Sequence, residues 1–432
     1  MPYKQGARLP GERASRLGHL DVLKSDLVNK LVEGFEKPYT DDDLPGQINW
    51  EPIDANDKPL NIIFGVDGSL VPIEDDTPPY RALAFVKTAL LRIDQTALAK
   101  IDQESPNPFA LKDILTKAAL YHATVFPLRN VRIDGTTNYH AIRKIIFDSL
   151  KDPTLDGQPY ETLKWIAYEK WDNNPKRLPL FECPHCEETL ATLDFDADEG
   201  NCNNCNGHLY LTDMLGFHQN MIIDAAPNSI ASDYMGVHET LLLFTAIRHF
   251  WQTNPEILKN CLFVKDGPLS IRAQYSKLVA PIRRFLQFAN GNEISINLVG
   301  QEKTGAFVDH FDLIGRNVPA NSIFIPGNQY IKEKIQHRPN RGAAYGKDTN
   351  YGAKIFIKLD EYTRYVLTIP TGKFNENPVQ SDILGINKIL STLPKIQSSR
   401  YEGGLLPVEL AHGIASLSTY PSARILKIFA GE

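Results

Sequence analysis

The stretch NIIFGVDGSL (61–70) decides the fold. Ile62, Ile63, Phe64 and Val66 form an apolar run too short for a helix, and Gly68 reads as its stop. The segment is therefore expected to be a buried strand ending in a turn. Working outward, ALAFVKTALLRI (82–93) is a second run able to pair with it, and 122–132 reads as a third strand. Residues 109–120, 138–151, 159–171 and 235–251 read as helices. NCLFVKDGPL (260–269) reads as a strand and turn, 270–289 as a helix, ISINLVG (294–300) as a strand and 301–315 as a helix. KIFIKL (354–359) and YVLTIP (365–370) read as paired strands, followed by helices near 380–392, 407–418 and 420–430. This alternation predicts an α/β sheet covered on both faces. Ahead of it, residues 1–36 read as a helical lead-in, with Leu20, Leu23, Leu27 and Leu31 at helical spacing, and 37–58 as a loop.

The 432 residues carry a net charge of −6 and are 42% hydrophobic and 23% charged, an ordinary globular balance. No run approaches the length of a membrane span, and the N-terminal stretch lacks the apolar centre of a secretory signal, so a cytoplasmic location with no membrane contact is expected. A net acidic chain does not advertise nucleic-acid binding, so any such contact must come from local patches, metal ions or a partner.

Four of the five cysteines form two pairs, Cys183-x2-Cys186 and Cys202-x2-Cys205. Each short turn supplies two thiolates, and two turns close a tetrahedral shell, which points to structural zinc. An iron–sulfur centre uses the same four thiolates. His185 and His208 lie close enough in sequence to replace one cysteine. Residues 176–211 are expected to be an inserted ribbon, dividing the chain into a lead-in (1–58), a first core part (59–175), the ribbon and a second core part (212–432).

Three acids sit where acids are not expected. Asp67 and Asp266 each end an apolar strand before a glycine, and Glu239 lies in a helix whose following residues, Leu241 to Phe244, are apolar nearly all round. Singly, each has an ordinary explanation as a turn residue or a solvated helix acid. Together, converging from strand ends and a helix, they form a cage of oxygen donors for Mn2+ or Mg2+. His412, in PVELAHGIASLS, reads by pattern alone as a packed residue sharing a face with Val408 and Ala415. The best basic stretch is IKEKIQHRPNRGAAYGK (331–347), where Lys332, Lys334, Arg338 and Arg341 would contact DNA phosphates if they lie on a flexible loop, and form an ordinary solvated face if not.

In order along the chain, VDGS (66–69), KDGPL (265–269), GQEKTGAFVDH (300–310) and LPVELAH (406–412) resemble the motifs of NurA nucleases. The ribbon followed by HLYLTDMLGFH (208–218) is similar to the branch with a cysteine-rich insertion. The resemblance spans about 60 to 420. It implies an RNase H-like, Piwi-like mixed sheet flanked by helices, and Mn2+-dependent exonuclease and single-strand endonuclease activity with two ions. It also implies a homodimer and a HerA-type hexameric translocase as partner, in DNA repair or antiviral defence. By motif, Asp67, Glu239 and Asp266 would hold the metals, His412 would lie beside them, and Lys303 would neutralise phosphate. Where the family often has a tyrosine, this chain has Gly404, with Tyr401 the nearest candidate. A different reading is a catalytically inactive DNA-binding or assembly module working through the ribbon. An actin-like ATPase or sugar kinase also uses an Asp-Gly turn, and no GxxxxGK[ST] loop is present to favour nucleotide binding.

Overall fold

The computed structural model describes residues 25–34, 48–53, 56–74, 78–95, 119–133, 135–172, 177–188, 190–222, 229–315, 318–398, 403–417 and 422–429. Contacts divide the chain into two units, Met1–Gln47 and Ile48–Glu432. In the first, helix α1 (Asp26–Glu33) is capped by Ser25, whose hydroxyl accepts from the Val28 amide, and it exposes Leu27, Leu31 and Val32. Leu20 and Leu23 lie outside the described residues.

The second unit is organised by a nine-stranded sheet. At its middle, β2 (Ile62–Glu74), β3 (Ala82–Asp94) and β4 (Ala119–Arg129) form an antiparallel meander ending at one edge. On its other side β2 pairs in parallel with β7 (Cys261–Asp266), and β7 pairs in parallel with β8 (Asn297–Glu302). The order β4-β3-β2-β7-β8, with those directions, is that of the RNase H-like core that the resemblance implied. The sheet continues antiparallel through β11 (Arg364–Ile369), β10 (Ala353–Lys358) and β9 (Ser322–Phe324) to β1 (Glu51–Pro52). A separate ribbon pairs β5 (Glu199–Asn201) with β6 (His208–Tyr210).

Alternate residues of each central strand enter two different cores, because successive side chains leave opposite faces. Phe64, Val66, Cys261, Phe263 and Leu298 pack under α2 (Asn138–Leu150), α3 (Gln158–Ala167), α4 (Ser229–Thr253) and α5 (Val279–Gly291). Ile63, Leu262, Val264 and Val299 pack under α7 (Ile386–Thr392) and α8 (Leu406–Ala415). Helix α6 (Ala306–Ile314) follows β8, and α9 (Ser422–Phe429) lies at the end of the described chain. No helix among the described residues is long and apolar enough to cross a membrane.

Several expectations change. Gly68 does not stop β2, which runs on to Glu74, so Asp67 lies mid-strand. The helix expected over 270–289 starts as a tight turn, Ala273–Leu278, before α5, and that expected over 301–315 starts only at Ala306. Within 109–120, residues 109–118 lie outside the described set and 119–120 open β4. Strands β1 and β9 were not expected; two- and three-residue strands are too short to show a period. The ribbon segment also packs more than its composition suggested: Phe181, Leu193, Leu209 and Leu211 are buried in the same core as the residues of α2 to α5.

Candidate active site and cysteine centre

Strand register brings two of the acids together. Val66 pairs with Lys265 across β2 and β7. The next positions along, just past the last pair, are Asp67 and Asp266, which continue on the same face. Glu239 comes from the opposite face on α4, and the missing side chain at Gly68 makes room for it. A Cβ there would stand 2.6 Å from Glu239 Oε1 and 2.5 Å from Met235 Cγ. On the other face, a Cβ at Gly65 would stand 2.2 Å from the Pro407 carbonyl oxygen, so glycine lets α8 settle directly onto β2. That contact holds His412 over Asp67. Buried Gln301 on β8 anchors the approach to α8, its side chain donating to the Gly403 carbonyl and accepting from the Leu405 amide.

Each acid leans on a basic side chain. Asp67 Oδ2 lies 2.8 Å from His412 Nδ1, and Oδ1 accepts from the Gly68 amide at 2.7 Å. Glu239 Oε2 accepts from Lys265 Nζ at 2.8 Å, and the same ammonium donates to the Asp266 carbonyl. Lys303 Nζ lies 2.9 Å from Asp266 Oδ1. These partners do not quench the repulsion among the acids. Burial, then Asp266, then Glu239 push the Asp67 carboxyl up to about 7, against the Gly68 amide and His412. Burial also raises Glu239, with Lys265 offsetting part of it. Burial opposes the Lys265 ammonium, yet Glu239 holds it above its ordinary value.

The structure therefore gathers Asp67, Glu239, Asp266, Lys303 and His412 into one neighbourhood. His412 is 55% exposed, so the reading of a packed histidine sharing the Val408 and Ala415 face does not hold. Tyr401 lies outside the described residues. Lys265 was missed, although a lysine inside the apolar run CLFVKD was itself a signal that something acidic lies opposite.

The basic stretch is elsewhere and is folded rather than loose. A short helical turn, Asn328–Tyr330, widens into Ile331–Ile335. Lys334, Arg338 and Arg341 are exposed. Lys332 is a correction: it is 6% exposed and its ammonium donates to the Arg341 carbonyl at 2.9 Å, so it braces the loop from inside.

The four cysteines converge as expected. Among the described residues they are the group of three or more His, Cys, Asp or Glu side chains whose ligand atoms all lie within 4.8 Å of one another, and they can hold a metal ion. The three acids are not gathered that tightly. Cys183 Sγ lies 3.8 Å from Cys205 Sγ and Cys186 Sγ 3.9 Å from Cys202 Sγ, far beyond a disulfide bond. The amides of His185, Asn204 and Gly207 donate to Cys183, Cys202 and Cys205 sulfurs at 3.4, 3.4 and 3.3 Å. Neither histidine is needed as a ligand. His185 Nε2 lies 2.8 Å from the His208 carbonyl oxygen and His208 Nε2 lies 2.9 Å from Glu199. The ribbon is fixed to α2 by Arg143, which grips Asp213 through two bonds of 2.8 Å and also donates to the His208 carbonyl.

No family model matches the chain, and no curated protein matches it. Among solved structures it is similar to the NurA nuclease from Sulfolobus solfataricus, at 10% identity and a TM-score of 0.33, covering 96% of this chain and 94% of that one. It is similar also to a second NurA structure at 11% identity and a TM-score of 0.30, covering 96% and 97%. At that distance neither likeness bears on what the site does, and the chemistry has to be read from its own residues.

Proposed function

We propose that this chain is a metal-dependent nuclease that hydrolyses DNA phosphodiesters. One observation carries the reading: Asp67 and Asp266 stand side by side where the parallel pair β2–β7 ends, and Glu239 reaches the same point past Gly68. Open α/β sheets bind their ligands at the carboxyl ends of parallel strands. The donor set fits a hard divalent cation, because all three acids offer oxygen. Asp67, Glu239 and Asp266 would hold Mn2+ or Mg2+, two ions in the fullest form. Such ions, when bound, make water acidic enough to attack and offset charge on the phosphate oxygens.

The chain's own cations have distinct parts in this reading. Lys303, largely solvated, turns from Asp266 to a phosphate oxygen as a point charge. Lys265, fully enclosed, favours the charged form of Glu239 against the burial that opposes it. His412 bonds Asp67 through Nδ1 and presents Nε2 to orient water or the leaving group. Lys334, Arg338 and Arg341 would contact the strand further out.

The cysteine centre is assigned to Zn2+. Thiolates about 2.3 Å from a central ion in a tetrahedron lie about 3.8 Å from one another, the separation seen between the paired sulfurs. On the resemblance in sequence, the chain works as a homodimer with a HerA-type hexameric translocase, processing DNA ends in repair or in defence against phage. The test is end-labelled single- and double-stranded DNA with Mn2+, with and without a hexameric translocase. Asp67→Ala and Asp266→Ala should each abolish cleavage while leaving the fold intact. Full Mn2+-dependent cleavage by either variant overturns the assignment.

A further inference from the structure

Beside the acid cluster lies a cavity of about 220 Å3, and its walls are continuations of the elements that carry two of the acids. One wall is α4 within the two turns before Glu239, presenting Asp233, Gly236 and Val237. The other is the segment just after Asp266, presenting Ile271, Arg272 and Tyr275. A strand whose phosphate lies at the acids therefore has a neighbouring nucleotide within reach of this cavity. It is smaller than the roughly 300–1,000 Å3 of drug-sized pockets and suits one flat ring system.

The cavity is chemically specific. The Asp233 carboxylate is buried, with its side chain 1% exposed, while its partner Arg272 is 59% exposed. Arg272 Nη1 lies 2.6 Å from Asp233 Oδ1, yet Oδ1 makes no aligned hydrogen bond, and the Tyr275 hydroxyl is 3.4 Å from Oδ2. The buried carboxylate thus rests on the solvated Arg272 guanidinium, the long Tyr275 contact and the Ser229 side chain, with Oδ1 still lacking an aligned donor. A ligand with two adjacent N–H donors satisfies it better. Beyond Gly236 there is open space, since a Cβ there would meet nothing within 4 Å. Val237 and Ile271 supply apolar walls for a ring.

Resting on the nuclease reading for its setting, we propose that this cavity takes one unpaired base of the DNA strand and prefers guanine. The guanine edge offers two neighbouring N–H donors to the Asp233 carboxylate and a carbonyl oxygen to Arg272. Cytosine and adenine offer one amino donor. Thymine turns two carbonyl oxygens toward the carboxylate and is disfavoured. A base can enter only when unpaired, so the site demands a single strand or a frayed end.

Binding is measured first, by fluorescence anisotropy in EDTA, so that no cleavage is involved. The probes are an all-thymine 20-mer and the same oligomer carrying guanine, cytosine or adenine at one central position. The wild-type chain should bind the guanine oligomer about tenfold more tightly than the all-thymine one, the worth of one good bidentate contact. Asp233→Asn and Arg272→Ala should both remove that preference while retaining the affinity for the all-thymine oligomer. Both changes touch the pair that holds the buried Asp233, so melting curves verify that each variant is folded before its binding is read. Equal binding of all four oligomers by the wild type, or an intact guanine preference in both variants, overturns the proposal. Adding Mn2+ then separates the two readings. A guanine preference without cleavage leaves the cavity assignment standing and removes the nuclease assignment. Cleavage without a base preference does the reverse.

Discussion

Asp67→Asn should make the protein more stable at pH 8, against the usual outcome of changing a buried polar group. The Asp67 carboxyl is 4% exposed and is pushed from 3.8 up to about 7 by burial and by Asp266 and Glu239. Between those two values the folded chain binds a proton that the unfolded chain releases. Folded stability therefore falls as pH rises from about 4 to about 7, and the loss is complete above that. At about 1.4 kcal/mol per unit, a shift of this size is worth roughly 4 kcal/mol. Asparagine keeps the shape and an acceptor oxygen but loses the charge, so the variant avoids this penalty. The roughly 385 residues of the larger unit carry an unfolding entropy of about 0.8 kcal/mol per kelvin. The expected gain is thus about 5 °C in Tm at pH 8, shrinking toward zero at pH 4. Saturating Mn2+ should reverse the ranking, since a cation offsets the repulsion in the wild type and finds one ligand fewer in the variant. Melting curves at pH 4.5, 6 and 8, with EDTA or Mn2+, measure all of this. An Asp67→Asn chain no more stable than wild type at pH 8 in EDTA, or stabilised equally by Mn2+, would refute the picture of three mutually repelling acids.

Cys202→Ser should lose the ribbon's metal, read by elemental analysis as a fall from one zinc per chain; a full equivalent retained would exclude the four-thiolate assignment. Arg143→Ala leaves Asp213 buried without its partner, at a cost of about 3–5 kcal/mol in urea unfolding. The double change to Arg143→Met and Asp213→Leu should recover most of that, and failure to recover would show that the pair does more than fix the ribbon. His218 is buried and held down to about 4, so the folded state resists protonation there. Its contribution is full above about 6.5 and is lost as pH falls toward 4, about 3 kcal/mol in all. His218→Leu should flatten the acid limb of the stability curve, and an unchanged limb would assign acid sensitivity to other groups.

The central elements were legible because each is a strong apolar run of the right length. Strands β3 and β7 were read within a few residues of where they lie, whereas β2 runs past its expected stop to Glu74 and α4 opens at Ser229, ahead of the expected 235. What the runs do not contain is register. That Val66 meets Lys265, and so Asp67 meets Asp266, is set by the packing of two whole faces, which no local pattern encodes. Gly68 was misread for a related reason. In isolation a glycine in a strand looks like a breaker, whereas here it clears the way for Glu239, a role visible only once α4 is in place. Lys332 shows the opposite error. A basic run looks the same whether solvated or folded, but Ile331 and Ile335 flanking it marked the segment as one that packs.

The ion pairs around the acids can be weighed as structure or as function. Networks kept for stability satisfy their members, and two ammonium groups and an imidazole for three acids looks like such a balance. The balance fails at Asp67, which burial and its neighbours hold at about 7 although His412 and the Gly68 amide both favour its charge. Asparagine at that position would keep an acceptor for one of those partners and drop the repulsion, so stability alone favours the neutral residue. Local choices that oppose the fold concentrate at functional sites. On the proposed reading a carboxylate that costs the fold several kcal/mol has a use, because a divalent cation would turn the three negative groups into an advantage. The partners are arranged to permit that exchange: His412 and Lys303 are substantially exposed and free to swing away, while Lys265 stays enclosed against Glu239.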